Sequence, residues 1–473
     1  MSPCLFKTNI KVYKKHPGYR VRHFANSCRK VAAIIFFGQM LQSLSILPLS
    51  AQQVNGYPAK VNYTLLDVWD KLILNSKKMA IAELIVEKNR AQLKDAENER
   101  FPDINLGSEY KRLSNLPEYV NGIFHAPEYH SILHQAYDLG SSTYFNIYSG
   151  NKLNLKISNQ KTQVQLSEEE KKQTRSELKV LAAAYYLNLE RAMVFKDLVE
   201  KDIADQEKQL LKIKALQKNG VVLKSDLLRA SLKLSRQKFS LVQIQNDINI
   251  LNQKLSLLIG GDETTFIAPI QNFAPDTIAL KSYDNYLDEA LTNSFQSRIA
   301  QKKNDLKSIQ VKISKAAFRP DIGFFADYAF SYPQGILYPY SNSVYGLGTA
   351  GIRATWSISS FFKNNNKVKA AQLDLKSQYV FYQNTRDSIK AQVNEAYLRF
   401  NEALTGIEVA KENVSQAAEN LRVLTNSYFN QTALITDLLD ADTQKLQASF
   451  DLESSKMDAQ LKYFQLQQII GNL

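Results

Sequence analysis

Cysteine is nearly missing: the 473-residue sequence has only Cys4 and Cys28. Beyond residue 51 the chain is therefore expected to have no disulfide, no cysteine-ligated metal and no thiol nucleophile. No glycine-rich phosphate loop, nucleophile elbow or ordered His–carboxylate–nucleophile set occurs, so neither an enzyme nor a cofactor is expected. Acidic residues are absent from residues 1–51, which carry eight basic ones: Lys7, Lys11, Lys14, Lys15, Arg20, Arg22, Arg29 and Lys30. Without them the formal net charge falls from +13 to +5. That is an ordinary surface, and no nucleic-acid partner is expected.

The basic stretch has another explanation. Arg29 and Lys30 precede an apolar run over residues 31–37 and 41–49, closed by Ser50 and Ala51. A charged region, an apolar region and a small residue before Gln52 describe a secretory signal peptide, with cleavage after Ala51 and export. Gly38, Gln39, Gln42 and Ser43 interrupt the run, which falls short of the ~20 apolar residues of a spanning helix. Neither cysteine stands at the cleavage point, so no lipid anchor is expected there.

What the chain has is a second copy of itself. Adding 211 carries Phe145 to Trp356, Tyr186-Leu187 to Tyr397-Leu398, Asp226-Leu227-Leu228 to Asp437-Leu438-Leu439, and Ile259-Gly260 to Ile470-Gly471. Upstream the shift is 218, pairing Asn75-Ser76 with Asn293-Ser294 and Pro102-Asp103-Ile104 with Pro320-Asp321-Ile322. One connection, between Tyr110 and Phe145, is thus seven residues longer than its partner. The expected organisation is a leader (1–51), a first repeat (52–260), and a linker or equatorial segment with a second repeat (261–473).

Most of each repeat is helical by pattern. Leu178, Leu181, Ala182, Tyr185, Leu189, Ala192 and Phe195 recur at three- and four-residue spacing. Glycine and proline are almost absent over 151–218 and 364–429, so a helix over the first stretch would run ~100 Å at ~1.5 Å per residue. A narrow apolar seam of that length implies coiled-coil packing. Asn219-Gly220 and Asn430-Gln431 break the pattern, and Ser225 and Thr436 then read as N-caps of returning helices, followed by Asp226 and Asp437. Glu168, Glu169, Glu170, Lys171 and Lys172 read as a solvated helix face.

Between the helices lie β-patterned hairpins, expected over 101–150 and 319–360. Pro102 and Pro320 stop the preceding helices. Ile322, Phe324, Ala326, Tyr328 and Phe330 alternate with Gly323, Phe325, Asp327, Ala329 and Ser331. Ile352, Ala354, Trp356 and Ile358 alternate with Gly351, Arg353, Thr355 and Ser357. In the first copy Ile104, Leu106 and Tyr110 face Asn105, Glu109 and Lys111, and Phe145 and Ile147 face Asn146 and Tyr148. One apolar face suits either lipid in a membrane barrel or an ordinary sheet packed on helices. The aromatic cluster of Tyr328, Phe330, Tyr332, Tyr338, Tyr340 and Tyr345 favours the membrane. Four strands cannot close, and an open edge in lipid leaves backbone groups unsatisfied. The barrel must therefore be shared between chains; two, three or four copies satisfy the strand arithmetic.

The repeated Pro-Asp-Ile strand openings, the stretch Thr436-Asp437-Leu438-Leu439-Asp440-Ala441 and the segment Ala396-Tyr397-Leu398 resemble the TolC-type outer-membrane efflux proteins. The resemblance covers the chain from about Val61 to Leu473. It implies a mainly α fold with a membrane β part: long helical hairpins forming an α-barrel, and four strands per chain in a twelve-stranded barrel shared by a homotrimer. It also implies outer-membrane lipid, a periplasmic adaptor and an inner-membrane transporter as partners. The family's periplasmic gate is lined with carboxylates, which places Asp437, Asp440 and the repeat-one equivalent Asp226 at the constriction. Capping explains Asp226 and Asp437 equally well, whereas Asp440 stands where the first copy has Arg229. Tyr428 matches a tyrosine that holds neighbouring hairpins at the closed tip. The basic residue that some members carry in the tip turn is missing, with Ala433 nearby.

His125, His130 and His134 all lie in the longer connection, and the i, i+4 pair has metal-ligand spacing. Three histidines in an external loop are more simply solvated surface, and no metal is expected. Two function classes compete: a passive outer-membrane exit duct, for drug efflux or for type I protein secretion, and a non-conducting structural or adhesive coiled-coil protein.

Overall fold

A computed structural model describes residues 60–261, 265–270, 280–333 and 341–473. The basic leader, its cleavage point, and Tyr338 and Tyr340 lie outside the described residues. The first copy runs β1 (Lys60–Tyr63), α1 (Leu65–Asn75), α2 (Lys77–Asn98), β2 (Asp103–Arg112), β3 (Leu116–Glu118), β4 (Glu128–His130), β5 (Gln135–Tyr148), α3 (Lys152–Lys218) and α4 (Lys224–Leu258). The second runs β6 (Phe266–Pro269), α5 (Tyr283–Asn293), α6 (Phe295–Ala316), β7 (Asp321–Tyr332), β8 (Tyr345–Thr355), a short α7 (Ser360–Lys363), α8 (Asn365–Phe429) and α9 (Ile435–Ile469).

The two copies break their opening helices at the same place. Ser76 separates α1 from α2 and Ser294 separates α5 from α6, both with extended backbone at the break. Apolar periodicity runs across both breaks, so the sequence reads one helix where there are two. The stretch that opens 261–473, expected to be a linker or equatorial segment, already contains α5, which corresponds to α1.

The helical hairpins follow from their composition. With no proline and hardly any glycine to interrupt it, α3 extends over 67 residues and α8 over 65. Leu178, Ala182, Leu189 and Ala192 are buried as their spacing requires, and Phe195 stacks on Phe450 with ring centroids 4.3 Å apart. The acidic–basic run is not a plain solvated face. Glu168 pairs with Arg90 of α2, Lys171 with Glu83 of α2, and Glu169 with Arg298 of α6 at 2.7 Å. These pairs tie three helices together; because they stay partly solvated, they fix register more than they stabilise.

Where the hairpins meet the opening helices, β1 and β6 pair in parallel. Tyr186 anchors this pair. Its hydroxyl lies 2.9 Å from the Tyr63 carbonyl and 3.0 Å from the Ile270 carbonyl, and it accepts the Ile270 N–H at 2.9 Å. Burial pushes its phenol up to about 12. Its repeat partner Tyr397 packs instead against Tyr283 and Tyr286.

Both returning helices end on a glycine pressed against the helix break. Gly260 and Gly471 have φ of +67° and +83°. A Cβ would lie 2.9 Å from the Asn75 oxygen in the first case and 2.2 Å from the Asn293 oxygen in the second. Gly471→Ala is therefore expected to cost about 1–3 kcal/mol. The check is the thermal midpoint of the purified protein; an unchanged midpoint would mean this closure contributes nothing.

The strands form one four-stranded antiparallel sheet in the order β2-β5-β7-β8. Register separates its faces cleanly. Leu106, Ser141, Tyr328 and Gly348 lie in one cross-strand row, and Phe145, Phe324 and Ile352 in another. That face is apolar and solvent-exposed, with Leu106 at 80% and Ile352 at 71%. The opposite face carries Asn105, Glu109, Lys111, Asp138, Asp327 and Arg353, with Arg353 over the Phe325 ring. Among the described residues no helix packs extensively across either face, so the reading of an ordinary sheet covered by helices is overturned. Among the described residues no helix is long and apolar enough to cross a membrane.

Aromatic rings mark both ends of the apolar band, as at membrane–water interfaces. Tyr137 stacks on Tyr332 at 4.8 Å at one end. At the other, Phe361 packs against Phe318 and Trp356, whose Nε1 donates to the Phe318 carbonyl at 3.0 Å. Trp356 and Ile358, expected inside the strand, fall beyond it, because β8 ends at Thr355 and the chain turns into α7.

Candidate constriction at the helical tips

At the far ends of the hairpins the two tips of one chain pack together. Buried Ile213 and Ala230 from the first hairpin meet Tyr428, Ile435 and Leu438 from the second. Matching turns make the reversals: the Val221 N–H donates to the Leu216 carbonyl and the Thr432 N–H to the Ser427 carbonyl. Gly220 takes the left-handed position in one and Gln431 in the other.

Ser225 and Thr436 do not cap the returning helices. Leu223 and Leu434 occupy the cap positions, two residues earlier. Burial of Ile435 and Leu438 sets the entry of α9, and both hydroxyls fall inside the first turn, where each reaches the neighbouring carboxylate: Ser225 to Asp226 at 3.3 Å, Thr436 to Asp437 at 3.4 Å.

The four residues named for the gate are not equivalent. Tyr428 is 5% exposed, and its hydroxyl is buried without a partner. Burial, and then the negative Asp226, push its phenol above its usual range. Tyr428 and the half-buried Asp226 thus face each other across the two hairpins of one chain. Asp437 is exposed and accepts the Leu434 N–H at a long 3.4 Å, which supports a capping role. Asp440 is exposed, and no described side chain pairs with it.

A charged group beside the tips escaped the sequence reading. Asp442 is 6% exposed, on the same seam as Ile435, Leu438 and Leu446. Its carboxylate accepts from Lys233 Nζ of α4 at 2.6 Å and from Gln206 Nε2 of α3 at 3.3 Å. Lys233 also donates to the Leu439 carbonyl at 2.7 Å, and Gln206 Nε2 donates to Asp202 at 2.6 Å. The available signal was a carboxylate at a seam position of the apolar repeat.

The histidines do not converge. His130 lies in β4, its Nε2 2.6 Å from Glu118 of β3, while His134 Nδ1 sits 3.1 Å from the Leu113 carbonyl. The i, i+4 spacing brings ligands together on a helix, and here it falls on a strand and the loop beyond. No group of three metal-ligating side chains occurs among the described residues.

A sheet with an apolar outer band, open at both edges, joined to two long helical hairpins of an internally duplicated chain, defines a subunit of an outer-membrane channel with a periplasmic helical extension. The chain belongs to the outer membrane efflux protein family, whose profile matches residues 68–261 and 286–472. Such proteins are channels and not enzymes. The fold is shared with CusC at 15% identity and TM-score 0.74, covering 90% of this chain and 96% of that one. It is shared with VceC of Vibrio cholerae at 16% and 0.71, covering 86% and 96%. The open-state MtrE channel of Neisseria gonorrhoeae gives 16% and 0.68, covering 86% and 88%. The curated proteins contain no match.

Proposed function

We propose that three copies of this chain close a twelve-stranded barrel in the outer membrane and line up their helical hairpins as a periplasmic duct. The duct is the passive exit of a tripartite efflux system, with energy supplied by an inner-membrane transporter through a periplasmic adaptor. The observation that carries this reading is the open sheet: β2 and β8 are its edges, and its outer face is apolar. Unpaired edge groups in lipid cost several kcal/mol each, so β8 of one copy must pair with β2 of the next. The polar face then lines the lumen. Asp437 and Asp440, exposed at the tip, form carboxylate rings around the axis, with Asp226 and Tyr428 holding the hairpins behind them.

Purified oligomer in planar bilayers is expected to give discrete cation-preferring pores, with a native mass of three chains. Absence of pores from a correctly assembled oligomer would favour the structural or adhesive reading. Co-purification with a transporter and adaptor divides small-molecule efflux from protein secretion, which use the same architecture.

A further inference from the structure

The charged cluster beside the tips, with Asp442 buried and Asp202 and Lys233 half-buried, is unlike anything at the equivalent place in the other copy. The 211 shift turns Asp202 into Asn413, Gln206 into Ala417 and Lys233 into Gln444, while Asp442 corresponds to Ser231. Every charged member is neutral in its repeat partner. Helical packing alone therefore does not require these charges, and replacing buried ion pairs by neutral residues is commonly neutral or stabilising. The cluster also joins what the tips must separate, since α3 and α4 belong to the first hairpin and α9 to the second.

We propose that Asp202, Lys233 and Asp442 form a proton-dependent clasp between the two helical hairpins of one chain, which loosens when Asp202 gives up its proton. The idea rests on the tips being the constriction of the duct.

The hydrogen bonding points the same way. Lys233 already donates to Asp442 and to the Leu439 carbonyl, while Asp202 accepts from the Gln206 amide. Gln206 Oε1 is buried with no donor, so with both carboxylates ionised the cluster has an acceptor to spare. A proton on Asp202 supplies the missing donor. Asp202 faces Asp442 and Lys445 from α9, Lys233 from α4, and Asp205 from its own helix. Burial first, and the negative Asp442 next, push its carboxyl up to about 7, against the partial relief of the two lysines.

With the hairpins parted Asp202 is solvated and ionises in the ordinary carboxylate range, whereas in the clasp it holds its proton to about pH 7. Between those limits the clasped state binds more protons. The clasp is therefore tightest in acid, weakens as pH rises toward 7, and is weakest above it. The ratio of parted to clasped hairpins should rise by at most about tenfold per pH unit across that window.

No cysteine occurs after residue 28, so spin labels can be placed through Ser235→Cys and Thr443→Cys, exposed positions beside the cluster on α4 and α9. Pulsed EPR on the full-length oligomer should show the inter-label distance lengthening between about pH 5.5 and about pH 8.5, with bilayer conductance rising in parallel. The isosteric Asp202→Asn should hold the short distance and low conductance at both pH values. Asp197→Asn, exposed on the same helix and not among the charges that face Asp202, should keep the wild-type response. A distance independent of pH, or a response that survives Asp202→Asn unchanged, overturns the clasp. An oligomer that makes no pores but still shows the Asp202-dependent distance change keeps the clasp and removes the duct.

Discussion

Replacing Asp437 and Asp440 together with Ala should abolish most of the channel's cation preference and raise its conductance. A cation ~8 Å from one carboxylate gains about 1 kcal/mol at an effective dielectric of ~40. Three copies bring one such ring to about 3 kcal/mol. One Debye length of screening at physiological salt reduces it to about 1 kcal/mol, roughly a fivefold preference. The loss should therefore be several-fold in reversal-potential measurements, and larger at low salt. The competing account is capping, since Asp437 accepts the Leu434 N–H and sits in the first turn of α9. Loss of such a cap costs about 1 kcal/mol of stability per chain and leaves ion selection alone. Asp440→Ala alone separates the two, because Asp440 caps nothing. Selectivity unchanged in that variant, with stability lowered only by Asp437→Ala, would return both carboxylates to a structural role.

The sequence made the long-range plan legible for a physical reason. Strand alternation and helical seams are repeated locally, and duplication shows each of them twice, so the sheet faces and the long hairpins could be read residue by residue. The failures were of another kind. Ser76 and Ser294 break helices without breaking apolar periodicity. Leu223 and Leu434 are caps with no polar side chain, set by how Ile435 and Leu438 pack rather than by local hydrogen bonding. The ion pairs of Glu168, Glu169 and Lys171 depend on α2 and α6 lying alongside α3, and their spacing says nothing of that. Lys233 and Asp442 are 209 positions apart and meet only because two hairpins cross-pack. Within one copy of the repeat each is a single charge on a helix. The comparison between copies picks them out once the fold shows Asp442 buried and Lys233 half-buried against it.

The sheet supplies the second large effect. Leu106→Arg should prevent stable assembly in the membrane, whereas Asn105→Arg, the adjacent residue on the same strand, should be tolerated. Leu106 sits near the middle of β2 on the apolar face, 80% exposed in the single chain, and Asn105 points to the polar face. An arginine on the lipid face of a barrel costs about 2–4 kcal/mol near the bilayer midplane and about 0–1 kcal/mol near the interfaces. In a trimer the change is present three times, so the total reaches roughly 6–12 kcal/mol, comparable with the whole stability of a typical domain. The measurement is the amount of oligomer recovered from outer membranes for each variant, with soluble chain as the control for expression. Equal recovery of both variants would mean that the apolar face does not meet lipid. Two chains differing only in which of two neighbouring residues carries the arginine have the same charge and composition. Any difference in assembly must therefore come from the face of the sheet, which ties the alternation in the sequence directly to the side of the barrel wall each residue occupies.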